Sequence, residues 1–316
     1  MSSPTTSIAI DLADVRAAAA RIAPYIHRTP LLASRSLSER IGVEVRLKCE
    51  NLQRSGSFKI RGAMNALLQL DEAQRRRGVV AFSSGNHGQG VALAAKILGI
   101  PATVVMPENS VETKVQAVRA YGAEVVQGGV TAATRDTVAR RIAEEKGAAV
   151  IPPFDDERII AGQGTLALEI VEEWPEAAAI VTPLGGGGLI SGVALAAGGR
   201  DVYGVEPAAG NDGEQSFRKG EIVSIDAPKT IADGARTLRI GDRNFAVIRE
   251  LVRDVVSVED EVLLETLKYA MYRTKLVMEP TAVLGLAALL SGKIQVAGPV
   301  AVVISGGNLD FRLLCD

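Results

Sequence analysis

The sequence predicts an α/β protein built as two interlocked parallel-sheet domains with helices on both faces. Three observations predict it. Short β-branched runs alternate with Ala-rich amphipathic stretches nearly throughout. The apolar runs are continuous rather than alternating, as expected of strands buried on both faces. Several of them end in a Gly-rich turn that opens a helix. At 316 residues the chain exceeds the usual size of a single core, so one large or two interlocked domains are expected.

Taken in order, the strand candidates are Val79-Val80-Ala81-Phe82, Ala102-Thr103-Val104-Val105, Glu124-Val125-Val126, Ala148-Ala149-Val150, Ala179-Ile180-Val181, Val202-Tyr203-Gly204-Val205 and Val302-Val303-Ile304. Helix candidates follow at 88–98, 112–121, 135–145, 164–173 and 189–197. A long helix near the C-terminus is expected to open at Ser257-Val258-Glu259-Asp260, with Ser257 as N-cap and acids in the first turn. No low-complexity linker divides the chain, and Pro152-Pro153 is its clearest break. Residues 64–148 read as a small α/β unit inserted into a larger unit, 1–63 and 149–316. The cleft between such units, at the carboxyl ends of the strands, is the expected ligand site.

Composition excludes several function classes. With 35 basic against 37 acidic residues the net charge is -2, so neither nucleic acid nor a membrane surface is an expected partner. Aromatic residues make up 4%, too few for stacking platforms along a single strand. Cys49 and Cys315 stand far apart, which excludes a disulfide framework and suits a reducing cytoplasm. His27 and His87 are the only histidines, leaving little room for a His-based zinc site. The first residues do not read as a signal peptide, and no segment has the apolar length of a membrane span.

Lys59, in Ser55-Gly56-Ser57-Phe58-Lys59-Ile60-Arg61-Gly62-Ala63, is the most informative residue. Small residues precede it and a helix-favouring stretch follows, so its amine projects from a helix start, where the local potential disfavours an ammonium. A neutral amine is what a Schiff base needs. Gly185-Gly186-Gly187-Gly188 joins a strand to a helix, and its amides can converge on an anion. The run lacks the Lys-Ser/Thr of a P-loop, and Ser191 stands where the third glycine of a dinucleotide fingerprint should be. Ser83-Ser84-Gly85-Asn86-His87-Gly88 suits a carboxylate or a phenolic oxygen, with simple helix capping by Ser84 or Asn86 as the alternative. In Ser305-Gly306-Gly307-Asn308 the serine is either an ordinary strand-end hydroxyl or a partner for a buried heterocycle.

Together these segments resemble the β-family (fold type II) of pyridoxal-phosphate enzymes, specifically the serine/threonine dehydratases and related serine racemases. The resemblance runs from His27-Arg28-Thr29-Pro30-Leu31 to the Ser305 turn and includes Ala161-Gly162-Gln163-Gly164-Thr165 and Glu279-Pro280-Thr281. It implies pyridoxal 5'-phosphate held covalently by Lys59, which also serves as general base. Phe58 would flank the ring, Asn86 would meet its phenolic oxygen, residues 185–188 its phosphate, and Ser305 its pyridine nitrogen. A neutral serine there leaves that nitrogen largely unprotonated, which favours β-elimination over transamination. Ser83, Ser84, Gly85, Asn86 and His87, with Arg135, are the implied substrate contacts. Ser84 would be the acid/base on the opposite face of Cα.

The resemblance further implies Mg²⁺ or Ca²⁺ at Glu206, Gly210 and Asp212, and a homodimer without an added regulatory domain. The expected activity is dehydration of L-threonine or L-serine to a 2-oxo acid and ammonia. Serine racemase and 3-hydroxyaspartate ammonia-lyase are the alternatives. For the latter, Arg135, Arg236 and Arg239 are candidates for pairing with a second carboxylate, with an exposed helix or loop charge, or a contact to the α-carboxylate, as the alternative reading of each.

Overall fold

The protein is seen as a computed structural model that describes residues 8–83 and 85–314. Its strands are β1 (Leu31–Ala33), β2 (Val45–Cys49), β3 (Val79–Phe82), β4 (Ala102–Val105), β5 (Glu124–Val126), β6 (Ala149–Ile151), β7 (Ala179–Pro183), β8 (Asp201–Pro207), β9 (Asp254–Val258) and β10 (Val300–Ile304). They form a six-stranded sheet ordered β1-β2-β10-β7-β8-β9 and a four-stranded sheet ordered β5-β4-β3-β6. Every pairing is parallel except that of the edge strand β1 with β2. The last strand, β10, lies between β2 and β7, so both ends of the chain build the larger sheet. The smaller sheet takes its strands from the middle of the chain and includes β6, just past the expected boundary at 148.

Burial explains the strand set. Strands β3, β7 and β10 are buried at every residue, which matches their unbroken apolar sequences. Apolar side chains of helix Leu284–Leu290 join those of β2, β7 and β10 in one core cluster, while Ile180, Val202, Ala301 and Val303 join helix Gly188–Ala196 in another. Two opposite faces of the larger sheet are thereby covered.

Two sequence expectations are corrected. Ser257 does not cap a helix: it lies within β9, and helix Asp260–Thr274 begins after Glu259, whose side chain makes no capping bond. Pairing of Glu206 with Ser257 and Pro207 with Val258 carries the sheet through residues that resemble a cap. The helix expected to begin at 164 starts two turns earlier as Glu157–Glu173, capped by the Asp156 carboxylate accepting from Arg158 and Ile159 amides. Its internal glycines are contact points rather than breakers. A Cβ on Gly164 would lie 2.5 Å from the Gly192 carbonyl oxygen, so only hydrogen lets these two helices approach so closely.

Candidate active site

Three turns meet where the strands of both sheets end. The turn before Lys59 is tied to the turn after β10 by an antiparallel bridge between Ser57 and Gly306, and by the Phe58 amide donating to the Ser305 carbonyl at 3.1 Å. Lys59 is the first residue of helix Lys59–Leu68. Two residues on, the fully buried Arg61 pairs with Glu50 at 2.7 Å and with Glu169 at 2.7 Å. Lys48 joins the same cluster through Glu169 at 2.6 Å. Two cations facing two carboxylates leave no net buried charge, and the cluster fixes the start of the helix that carries Lys59.

The Lys59 amine donates to the Pro153 carbonyl at 2.8 Å and lies 5.2 Å from the centre of the Phe58 ring. Its pKa is lowered to about 8, first by burial and then by the Arg135 guanidinium. The sequence assigned this effect to the helix start; the structure assigns it to desolvation and a neighbouring cation. A substantial neutral fraction near pH 8 is available for nucleophilic chemistry.

After β7, residues 185–188 turn into helix Gly188–Ala196. The Gly186 carbonyl is held by the Asn244 carboxamide at 2.9 Å and the Gly241 amide at 3.1 Å. A Cβ on Gly186 would sit 2.2 Å from the Phe154 ring, so a side chain there is excluded. The amides of Gly185, Gly186, Gly187 and Gly188 donate to no acceptor among the described residues. Unsatisfied N–H groups lining the pocket at a helix start fit a phosphate.

The third turn, after β3, opens helix Asn86–Leu98, and the Ser83 hydroxyl accepts from the Gly85 amide at 3.0 Å. The Asn86 carboxamide donates to Glu279 at 2.6 Å and accepts from Asn308 at 2.8 Å, which leaves one of its N–H groups for a ligand. The His87 Nε2 lies 2.9 Å from the Ile151 carbonyl, and burial, with Lys59 nearby, pushes its pKa to about 3. That ring is neutral at any working pH. Ser84 lies outside the described residues.

Lys59, Asn86, Arg135, Gly186, Glu279 and Ser305 line a single pocket. Ser305 is buried, and its hydroxyl has no hydrogen-bond partner among the described residues. Arg236 lines the pocket too, with its guanidinium donating to the Thr230 carbonyl at 2.6 Å. Arg239 does not: it pairs with Asp242 at 2.6 Å beside an outer cleft. Sequence reasoning passed over Phe154, Lys114 and Asp233, all of which line the pocket. No local pattern marks them. Glu279 enters the sequence reading only through Glu279-Pro280-Thr281, and that motif was the available signal for its place here.

A buried lysine whose pKa is lowered to about 8, a cradle of free amides and an unpartnered hydroxyl at one pocket fit a phosphate-bearing carbonyl cofactor. The pattern of the pyridoxal-phosphate dependent enzymes matches residues 22–306, and the chain belongs to that family. It is 49% identical over 304 residues to an L-threo-3-hydroxyaspartate ammonia-lyase of Saccharomyces cerevisiae, covering 95% of this chain and 93% of that one. It is equally 49% identical to a serine racemase of Schizosaccharomyces pombe over 95% of this chain and 94% of the relative. The solved threonine deaminase of T.th. superposes with a TM-score of 0.91 at 47% identity, over 95% of this chain and 99% of the other. The protein is therefore a pyridoxal-phosphate dependent enzyme of the ammonia-lyase and racemase class with a fold type II architecture.

A second group lies at the end of β8. Glu206 is fully buried and accepts from the Gly213 and Glu214 amides at 3.2 and 2.8 Å. Both carboxylate oxygens of Asp212 are buried without a partner. Burial and the facing Asp212 hold the Glu206 carboxyl well above the usual range, and burial raises Asp212 to about 7. Among the described residues no group of three or more His, Cys, Asp and Glu side chains is arranged to hold a metal. A cation here would need a backbone oxygen and waters besides the two carboxylates; the orphaned Asp212 oxygens fit that demand.

No described helix is long and apolar enough to cross a membrane.

Proposed function

We propose that the protein is a β-hydroxy-amino-acid ammonia-lyase whose favoured substrate carries a second carboxylate, as 3-hydroxyaspartate does. The observation that supports this reading most is Arg135. It opens helix Arg135–Lys146, lines the pocket, and lies close enough to the Lys59 amine to lower its pKa. A guanidinium lining the pocket that holds Lys59 is suited to a bidentate carboxylate contact. The relatedness to an L-threo-3-hydroxyaspartate ammonia-lyase supports the same reading.

When bound, pyridoxal phosphate supplies a conjugated electron sink for a carbanion at Cα. Lys59 would hold it and, as free amine, would remove the Cα proton. The amides and hydroxyl of the 83–87 turn hold the α-carboxylate. Residues 185–188 would hold the phosphate, Phe58 would pack against the ring, Asn86 would offer its remaining N–H to the phenolic oxygen, and Ser305 would meet the ring nitrogen. Loss of the β-hydroxyl as water gives an enamine, whose imine tautomer hydrolyses to the 2-oxo acid and ammonia.

Serine and threonine dehydration is the second reading, supported by the 47% identity to a threonine deaminase. Mg²⁺ or Ca²⁺ is assigned to Glu206, Asp212 and the Gly210 carbonyl. A homodimer is assigned, with Leu52 and Val277, 45% and 43% exposed, as apolar side chains its interface would cover. The buried free thiol of Cys49 suits a reducing cytoplasm.

The test is a panel of L-threo-3-hydroxyaspartate, L-threonine and L-serine, each followed by 2-oxo-acid release and by chiral analysis of residual amino acid. The reading requires 3-hydroxyaspartate to have the highest kcat/KM. Inversion of L-serine exceeding pyruvate release would make the enzyme a racemase first.

A further inference from the structure

Lys114 belongs to helix Glu112–Ala120, beside the four-stranded sheet, yet its partners lie on the other bank of the pocket. Its side chain is 5% exposed. The ammonium pairs with Asp233, on the short turn Asp233–Ala235, and lies 3.8 Å from Glu279. Thr281 accepts from the Gly234 amide at 3.0 Å, which ties the Asp233 turn to the Glu279 segment. Glu279 in turn accepts from Asn86 at 2.6 Å. Asp233, Lys114, Glu279 and Asn86 thus form a chain that crosses the cleft and returns to the start of helix Asn86–Leu98.

The stem of Lys114 supplies the second contact. A Cβ on Gly85 would lie 3.0 Å from Lys114 Cδ and 3.4 Å from its Nζ. Gly85 therefore lies against the Lys114 side chain from Cδ to the ammonium, while the ammonium is tied to Asp233. Nothing in the elimination chemistry uses Lys114, and a buried ammonium facing two acids is a costly element for mere packing.

We propose that Lys114 is a positioning residue that fixes the carboxylate-binding turn, by bridging it to Asp233 and Glu279 across the pocket, and so sets substrate affinity. The proposal rests on the reading of the 83–87 turn as the α-carboxylate site. Neutralising the bridge releases the turn from its underside, so the amides that meet the carboxylate lose their preorganisation. Affinity then falls more than the rate of the chemical step.

The probe is α-methyl-L-serine, which carries the α-carboxylate but no Cα proton and no second carboxylate, so it binds without eliminating and without calling on Arg135. Its Kd is read from the absorbance change of the pyridoxal-phosphate-loaded protein. Lys114→Met is expected to raise Kd at least about tenfold, the size of a lost charge-assisted hydrogen bond. Lys114→Arg should bring Kd back to within about threefold, and hydrogen exchange should accelerate at the Gly85, Asn86 and His87 amides but not in the core strands. An unchanged Kd in Lys114→Met overturns the proposal, as does acceleration spread evenly over the protein. If Lys114→Met does not fold, Asp233→Ala takes its place, with a rise of about threefold or more expected and an unchanged Kd again contrary. Failure of the wild-type holoenzyme to bind the probe overturns the carboxylate-site reading itself, and the proposal with it.

Discussion

The Lys59 amine and the Pro153 carbonyl are 2.8 Å apart, joining the start of helix Lys59–Leu68 to the segment that follows β6. That contact holds a desolvated amine over the pocket, with its proton directed at a backbone oxygen that cannot take it. Arg135 adds a cationic neighbour and pushes the amine further toward its neutral form.

Attachment of pyridoxal phosphate to the apo-protein should therefore depend on pH with a midpoint near the Lys59 value of about 8, faster above it, because only the neutral amine attacks. Stopped-flow absorbance measures this. Arg135→Gln removes a cation that lowers the pKa, so its midpoint should move up. A midpoint above about pH 10, the range of an unperturbed lysine, would show that the wild-type amine is not desolvated.

Arg61→Met should leave Glu50 and Glu169 buried around a missing charge. The expected loss is about 3–5 kcal/mol, the usual cost of breaking a buried pair from one side. Equilibrium denaturation of the holoenzyme checks it. Arg61 is fully buried and Glu50 is held ionised by it against the effect of burial, so a loss below about 1 kcal/mol would contradict the account.

Glu279 is raised to about 7 by burial and by Asp233, against the opposing pull of Lys114 and Asn86. A raised carboxyl binds its proton more tightly in the folded state, so its contribution to stability is full below the unfolded value and is lost as pH rises through about 7. Wild type minus Glu279→Gln should show a stability difference that declines over that window. A difference that grows with pH there would reverse the sign and refute the assignment.

Chelation should lower the Tm, and Mg²⁺ or Ca²⁺ should restore it, since a ligand of the native state adds stability by mass action. Asp212→Ala should abolish the response while retaining bound pyridoxal phosphate. If that variant still responds to added cation, the ions act elsewhere.

Much of this site is legible in the sequence because it is local. A strand running into glycine and then a helix can be read from a dozen neighbours, and the pocket-lining residues 185–188, Ser83, Gly85, Asn86, His87, Lys59 and Ser305 all follow from such reading. Lys114, Asp233 and Phe154 do not, because they reach the pocket only through tertiary contacts between segments far apart in the chain. Their own neighbours resemble an ordinary amphipathic helix or loop. The misplaced helix start near 164 has a related cause: Gly162 and Gly164 look like breakers, but they are where helices touch, Gly162 against Gly62 and Gly164 against Gly192. Ser257 misleads because a serine before acids resembles a cap even when its neighbours pair in a sheet.

Competition between L-threo-3-hydroxyaspartate and L-threonine tests the proposed activity most directly. With both at equal, subsaturating concentration, the ratio of oxaloacetate to 2-oxobutyrate at early times reads the ratio of kcat/KM. The account predicts about a hundredfold excess of oxaloacetate, falling to near parity in Arg135→Gln, where the guanidinium no longer meets the second carboxylate. An excess of 2-oxobutyrate from the wild type, or a ratio untouched by Arg135→Gln, would contradict it.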